Sequence, residues 1–221
     1  MKKVCKILSV GLWCLFPLLV QANGLEKGDQ MVSGFFGGSL SVSGSAIDIE
    51  TSWGNAEGVD WAEGALSYGV QYLYVLNPYL ALGAEFNANN FESSSDTVWG
   101  YGYEETIHSK MDVYSLMIAG RLTTNPGSGF RFYIPFGGGW AIAKNSVSAT
   151  INGVSGSGSD TDNSFIYYVG MGLEGDVSVN WLLGLEMRYS SFPFDTSKLV
   201  KGGGNEDYSF LSFMLKLAYK F

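Results

Sequence analysis

The 221-residue chain has two cysteines, Cys5 and Cys14, and both lie in its first 14 residues. Once that stretch is removed no thiol, disulfide or thiolate metal site remains. Long apolar runs are also missing. The one approach to such a run, Ile7 to Val20, is shorter than the roughly 18 residues a membrane-spanning helix needs, which excludes a polytopic helical bundle. Positive charge is scarce: 13 Lys and Arg stand against 21 Asp and Glu, a formal net charge of −8. Phosphate neutralisation requires clustered cations, so nucleic acid is excluded as a partner. Charged residues make up only 15% of the chain while hydrophobic residues reach 46%, a balance that excludes global disorder.

The N-terminus combines Lys2, Lys3 and Lys6 with the apolar run and a small-residue exit at Val20-Gln21-Ala22. This pattern predicts a signal peptide over residues 1–22, cleaved after Ala22, and a single exported domain over 23–221. The exported chain then carries ten basic and 21 acidic residues, net −11. An uncleaved N-terminal anchor is the alternative.

Beyond the leader the period of hydrophobicity is two. Leu211, Phe213, Leu215, Leu217, Tyr219 and Phe221 alternate with Ser212, Met214, Lys216, Ala218 and Lys220. Alternation alone fits a soluble sandwich as well as a barrel. The sizes of the two faces discriminate: Trp181, Leu183, Leu185, Met187 and Tyr189 alternate with Leu182, Gly184, Glu186, Arg188 and Ser190. A large apolar outside and a mostly small and polar inside mark a barrel in lipid. Leu66, Tyr68, Val70, Tyr72, Tyr74 and Leu76 show the same outward face, whereas Phe35 falls on the inward parity of its strand. Eight strands are predicted near 30–43, 61–76, 79–90, 106–123, 130–145, 164–177, 181–193 and 208–221. Short turns alternate with long loops at 44–60, 91–105, 146–163 and 194–207. That alternation predicts an all-β, eight-stranded antiparallel up-and-down transmembrane barrel with short periplasmic turns and four longer extracellular loops. A secreted lipocalin-type barrel is the competing fold.

The C-terminal strand from Tyr208 to Phe221, the Pro135-Phe-Gly-Gly-Gly-Trp140 segment and Gly184-Leu-Glu-Met-Arg-Tyr189 resemble the small eight-stranded outer-membrane barrel proteins. That group includes OmpA-type transmembrane domains and OmpX/Ail-like proteins. The resemblance spans the whole exported chain and is specific to architecture. It implies that Leu217, Tyr219 and Phe221 form the signal read by the outer-membrane barrel assembly machinery. Outer-membrane lipid and lipopolysaccharide are the other implied partners, around a monomer.

Seven charged residues fall on inward positions: Glu85, Arg121, Arg131, Glu174, Glu186, Arg188 and Lys216. An eight-stranded barrel is just wide enough for side chains to fill, so these are expected to form a structural ionic plug, with a narrow solute pore as the alternative. Glu186 and Lys216 are expected side by side on adjacent strands. The four long loops carry net charges of −4, −4, −2 and −1, the whole charge of the exported chain. Solvated loops explain this; cation bridging to lipopolysaccharide is a second reading, although no spacing matches an EF-hand. A lipid A hydrolase requires a nucleophile and a base within reach of each other. His108 and Ser109 are adjacent, so a regular strand directs them to opposite faces, and only Ser93, Ser94 or Ser95 could approach the imidazole. Gly170-Met-Gly-Leu-Glu-Gly175 matches a dinucleotide fingerprint literally but falls inside a predicted strand, which defeats that reading. No catalytic residue, cofactor or metal is expected. The predicted role is non-enzymatic, in envelope integrity or surface interaction.

Overall fold

The computed structural model describes residues 24–43, 46–51, 54–60, 64–92, 96–100, 103–151, 154–195 and 205–221. The predicted signal peptide lies outside them. The described strands are β1 (Gln30–Ser43), β2 (Ala46–Thr51), β3 (Gly54–Asp60), β4 (Gly64–Asn77), β5 (Leu80–Glu92), β6 (Asp96–Gly100), β7 (Tyr103–Thr124), β8 (Phe130–Ile151), β9 (Val154–Asp176), β10 (Trp181–Asp195) and β11 (Asn205–Lys220). Eight of them, β1, β4, β5 and β7 to β11, pair antiparallel in chain order, and β1 closes the ring against β11 from Met31↔Lys220 to Ser43↔Ser209. Closure satisfies the backbone of each wall strand through its neighbours, the condition for crossing lipid with β-structure.

The side chains follow the predicted parity. Val32, Phe36 and Leu40 point outward and are exposed, while Met31, Ser33, Phe35 and Ser39 between them are buried. The outward set of β8, Phe130, Phe132, Ile134, Trp140 and Ile142, is likewise exposed. Aromatic rings gather at both ends of this apolar band, Tyr72, Tyr74, Trp181 and Tyr219 near the chain termini and Trp140, Tyr167 and Tyr189 at the other end. Amphipathic rings favour the headgroup level, so the band fits a bilayer.

All four predicted loops contain strand structure and are corrected accordingly; in 194–207 β10 and β11 extend to the rung Asp195↔Asn205. Residues 46–60 hold the β2–β3 hairpin, Asp96–Gly100 pair with β7, and most of 146–163 continues β8 and β9 to the rung Ile151↔Val154. The register between β9 and β10 stops at Tyr167↔Ser191, so the β8–β9 hairpin rises beyond that edge of the wall. Strands above a membrane are wetted on both faces. Ser155, Ser157, Ser159, Thr161 and Asn163 therefore show no apolar alternation to mark them as strand.

Two glycines shape the lumen by leaving room for rings. A Cβ on Gly172 would lie 2.3 Å from the Tyr133 ring, and one on Gly137 would lie 2.5 Å from the Tyr168 ring. Each glycine sits directly across the register from its aromatic partner, as Phe35 does from Gly69. Such cross-strand pairs lay a ring flat over the bare backbone and direct it into the barrel.

The segment before β1 crosses the end of the barrel at which β1 begins and β11 ends. Leu25 N donates to Pro126 O at 3.0 Å and Gly28 N donates to Val75 O at 2.9 Å, which ties residues 24–29 across the opening. Leu25 packs against Met31, Leu73, Val75, Ala81 and Ala119. Lys220 Nζ holds the start of this segment by donating to Gly24 O at 3.0 Å, with Asp29 3.7 Å away.

Candidate functional site: the charged lumen

The seven inward charges predicted from parity are all buried inside the barrel, none more than 3% exposed. They divide into two groups. In the first, Arg121 donates to both oxygens of Glu174, at 2.7 Å from Nη1 and 2.8 Å from Nη2. Arg131 Nε reaches Glu174 Oε1 at 3.1 Å and its guanidinium also pairs with Asp176. In the second, Arg188 bridges Glu85 and Glu186, its Nη2 lying 3.0 Å from Glu85 Oε2. Lys216 Nζ donates to Gln71 Oε1 at 2.6 Å and lies 3.5 Å from Glu186.

Tyr133 joins the groups. Its hydroxyl donates to Glu186 Oε2 at 2.7 Å, while the Arg121 guanidinium stands over its ring at 5.0 Å. Tyr168 plays the matching part beside Arg188, donating to Glu85 Oε2 at 3.1 Å beneath a guanidinium 4.3 Å from its ring centre. Phe35, the residue on the inward parity of an otherwise apolar-outward strand, packs its ring on the other part of Arg188 at 4.8 Å. An inward aromatic there shields a cation.

Sequence parity missed one member. Asp176 shares the parity of Glu174 but sits at the last position of β9, where strand ends are hardest to place. With it the described residues of the lumen comprise four cations and four carboxylates, a neutral set. Neutrality matters because an unpaired ion in this environment costs several kcal/mol. The expected contact between Glu186 and Lys216 is diagonal: the register sets Glu186 opposite Met214 and Lys216 opposite Gly184. A long ammonium side chain spans that offset.

The charged layer lies between two apolar ones. Along β5 the inward residues read Ala81, Gly83, Glu85, Asn87, Asn89, Phe91, and along β11 from its C-terminal end they read Ala218, Lys216, Met214, Ser212, Phe210, Tyr208. Ser39, Ser67, Ser212 and Asn89 hydrogen-bond to one another above the charges. Above them Phe91 meets Tyr208 and Phe210 edge to face, with ring centres 5.5 and 5.4 Å apart. The Leu25 cluster lies at the opposite end.

The other candidates fall elsewhere. His108 is exposed on β7 and pairs with Ser148; Ser109, next along the strand, pairs with Val147. Ser93, Ser94 and Ser95 lie outside the described residues. Gly170 to Gly175 lie inside β9 and lead to a turn and β10. The acidic loop residues Asp160 and Asp162 are on β9. Leu217 and Tyr219 face outward on β11, and Phe221, just after it, exchanges two backbone hydrogen bonds of 3.0 Å with Gln30.

Comparison with known proteins agrees with this architecture. Residues 22–221 match the model of the outer membrane protein beta-barrel domain. Among solved structures the chain is similar to the outer membrane protein OprG from Pseudomonas aeruginosa, with 14% identity, a TM-score of 0.54, and 91% of this chain and 99% of that one covered. It also matches Ail of Yersinia pestis, with 15% identity and a TM-score of 0.49 over 88% of this chain and 99% of that one. Neisserial surface protein A matches at 14% identity with a TM-score of 0.49, over 88% of this chain and 100% of that one. A comparison with curated proteins finds no match. The chain belongs to the outer membrane protein β-barrel domain family, and its location is the cell outer membrane.

Proposed function

We propose that this protein is a non-enzymatic barrel with a sealed lumen, which serves envelope integrity and presents an acidic surface through its outer extension. The carrying observation is the neutral set of eight buried charges packed between two apolar layers. Every charged side chain there has an oppositely charged partner. Moving an ion through would require breaking such contacts at a cost of several kcal/mol. The extension carries Asp96 on β6, Glu104 and Glu105 on β7, and Asp160 and Asp162 on β9. Their sign suits solubility and repels polyanions.

The hydrolase reading draws no support from His108 and Ser109, which are consecutive in β7 and pair with Ser148 and Val147 in turn. The test of the sealed lumen is conductance in planar bilayers with purified, folded protein. The expected trace stays at the lipid baseline in 1 M salt, used here on the order of the highest ionic strength in routine work. Stable single-channel steps from the wild-type chain would overturn the proposal.

A further inference from the structure

Beyond the level of Trp140 and Tyr167 the inward face of the β8–β9 hairpin turns from apolar to polar. Asn145 on β8 stands directly opposite Met111 on β7 and Asp160 on β9, and the next inward rung sets Ala143 opposite Asp162. These positions continue the inward parity of Ile166 and Tyr168 along β9 and of Ala141 along β8. Side chains directly opposed on one face start about 5 Å apart, and Asp160 and Asp162, two residues apart on one strand, start about 7 Å apart. Lys110 and Lys144, on the neighbouring positions of the same sheet, fall on the outward parity. The register from β9 to β10 ends at Tyr167↔Ser191, so among the described residues no β10 rung flanks the two carboxylates, and both residues are half-buried.

Asn145 is the anomaly at this level. It is 2% exposed, yet among the described residues neither its Oδ1 nor its Nδ2 has a hydrogen-bond partner. Folded proteins pair nearly all buried polar side chains, because an amide stripped of water and left without partners is destabilising. An apolar side chain beside Met111 and Ala143 would avoid that loss. The amide is therefore placed for a ligand, and the groups that share its face indicate which kind. Asp160 lies directly across from it and Asp162 one diagonal step away. Asp162 Oδ1 accepts the backbone N–H of Asn163 at 2.9 Å, which orients the carboxylate, and about four lone-pair sites on such a group leave room for a further partner.

Two carboxylates and an amide oxygen, with no thiolate or imidazole beside them, form a hard donor set that suits a cation of the calcium type. We propose that Asn145 Oδ1 and the carboxylates of Asp160 and Asp162 hold one calcium ion inside the outer mouth of the barrel, with water completing its shell and Nδ2 of Asn145 donating to a carboxylate oxygen. The ion would link β8 to β9 where the hairpin leaves the wall. Magnesium demands a tight octahedron and keeps its own waters, whereas calcium accepts irregular oxygen sets. Among the described residues no three histidine, cysteine or acidic side chains gather, so the charge on the donors is low and the affinity belongs to the weak extracellular class, on the order of 0.1–1 mM. These carboxylates face the interior and not the lipid, and the site is independent of whether the lumen is sealed.

The test is calorimetric titration of calcium chloride, and separately magnesium chloride, into the full exported chain folded in detergent and stripped with a chelator. The wild type is expected to bind one calcium ion with half-saturation at roughly 0.1–1 mM and magnesium at least tenfold more weakly. Asp160→Asn/Asp162→Asn is expected to abolish the binding. Asn145→Leu is expected to weaken it at least tenfold while raising the urea midpoint of the calcium-free chain, because the leucine needs no polar partner. The triple variant Asp96→Asn/Glu104→Gln/Glu105→Gln, which neutralises acids elsewhere on the extension, is expected to bind as the wild type does. Migration on unboiled gels checks the fold of each variant. A wild-type chain with no saturable calcium binding would overturn the proposal, as would unchanged affinity in either Asn145→Leu or the Asp160/Asp162 pair. Equal loss in the triple variant would also overturn it, assigning the effect to diffuse attraction by the acidic extension.

Discussion

Glu186 is the residue on which most of the lumen converges, since Arg188, Lys216 and the Tyr133 hydroxyl all reach its carboxylate. Removing a partner from a buried ion pair typically costs about 3–5 kcal/mol, because the remaining charge stays buried. Here Arg188 keeps Glu85 and Lys216 keeps Gln71, so Glu186→Ala is expected near the low end, about 3 kcal/mol. Glu186→Gln retains an acceptor for Tyr133 and is expected to lose about half as much. Urea midpoints for folding into vesicles check both, and a midpoint unchanged in Glu186→Ala would show that the contacts to Glu186 do not stabilise the barrel. Seven of the eight lumen charges were legible from alternation, because strand parity directs a side chain without any knowledge of its partner. Asp176 was hidden by its terminal position on β9. The pairing pattern was hidden for a different reason: Arg121 meets Glu174 across 53 residues and Arg188 meets Glu85 across 103, and only the closed ring brings such strands face to face.

At the scale of elements, the strands inside the bilayer and their extensions above it obey different rules. Within the band, lipid and lumen impose opposite demands on successive residues, so β10 and β11 could be read almost to the residue. Above it both faces are wet, and β9 from Val154 to Asn163 is a run of small polar residues with no signal beyond composition. Pairing there runs through the β8–β9 hairpin, from Ser146↔Ser159 to Ile151↔Val154, with β7 beside it as far as Glu105↔Ile151 and β6 on β7. Exposed backbone pairing with little apolar burial sits at the low end of local stability. Excising residues 147–158 and joining Ser146 to Ser159 through an Asn-Gly turn is therefore expected to leave the barrel folded, with the unfolding midpoint shifted by less than about 1 kcal/mol. The unboiled gel band checks this: a variant that runs only at the denatured position would mean that the extension helps to form the wall.

For the molecule as a whole, the proposed seal of the lumen is arranged in series. Leu25 and its neighbours close one end, the eight charges fill the middle, and Phe91, Tyr208 and Phe210 close the other. The inner seal was not legible because residues 24–29 have no period, and their anchors, Pro126 and Val75, belong to turns and strands remote in sequence. Resistances in series have a testable property, which is that the largest one governs the total. Three variants breach one layer each: Leu25→Gly, the pair Glu85→Ala/Arg188→Ala, and the pair Phe91→Ala/Phe210→Ala. The middle pair removes a carboxylate and a guanidinium together, so the lumen stays neutral and avoids the penalty of an orphaned charge. Each variant alone is expected to remain at the lipid baseline in a planar bilayer, while the chain carrying all five substitutions conducts. Migration on unboiled gels confirms which chains are folded before their traces are compared. Conductance from the Leu25→Gly chain alone would mean that the charged layer admits ions whenever its inner mouth is open, and the charges would then line a gated path.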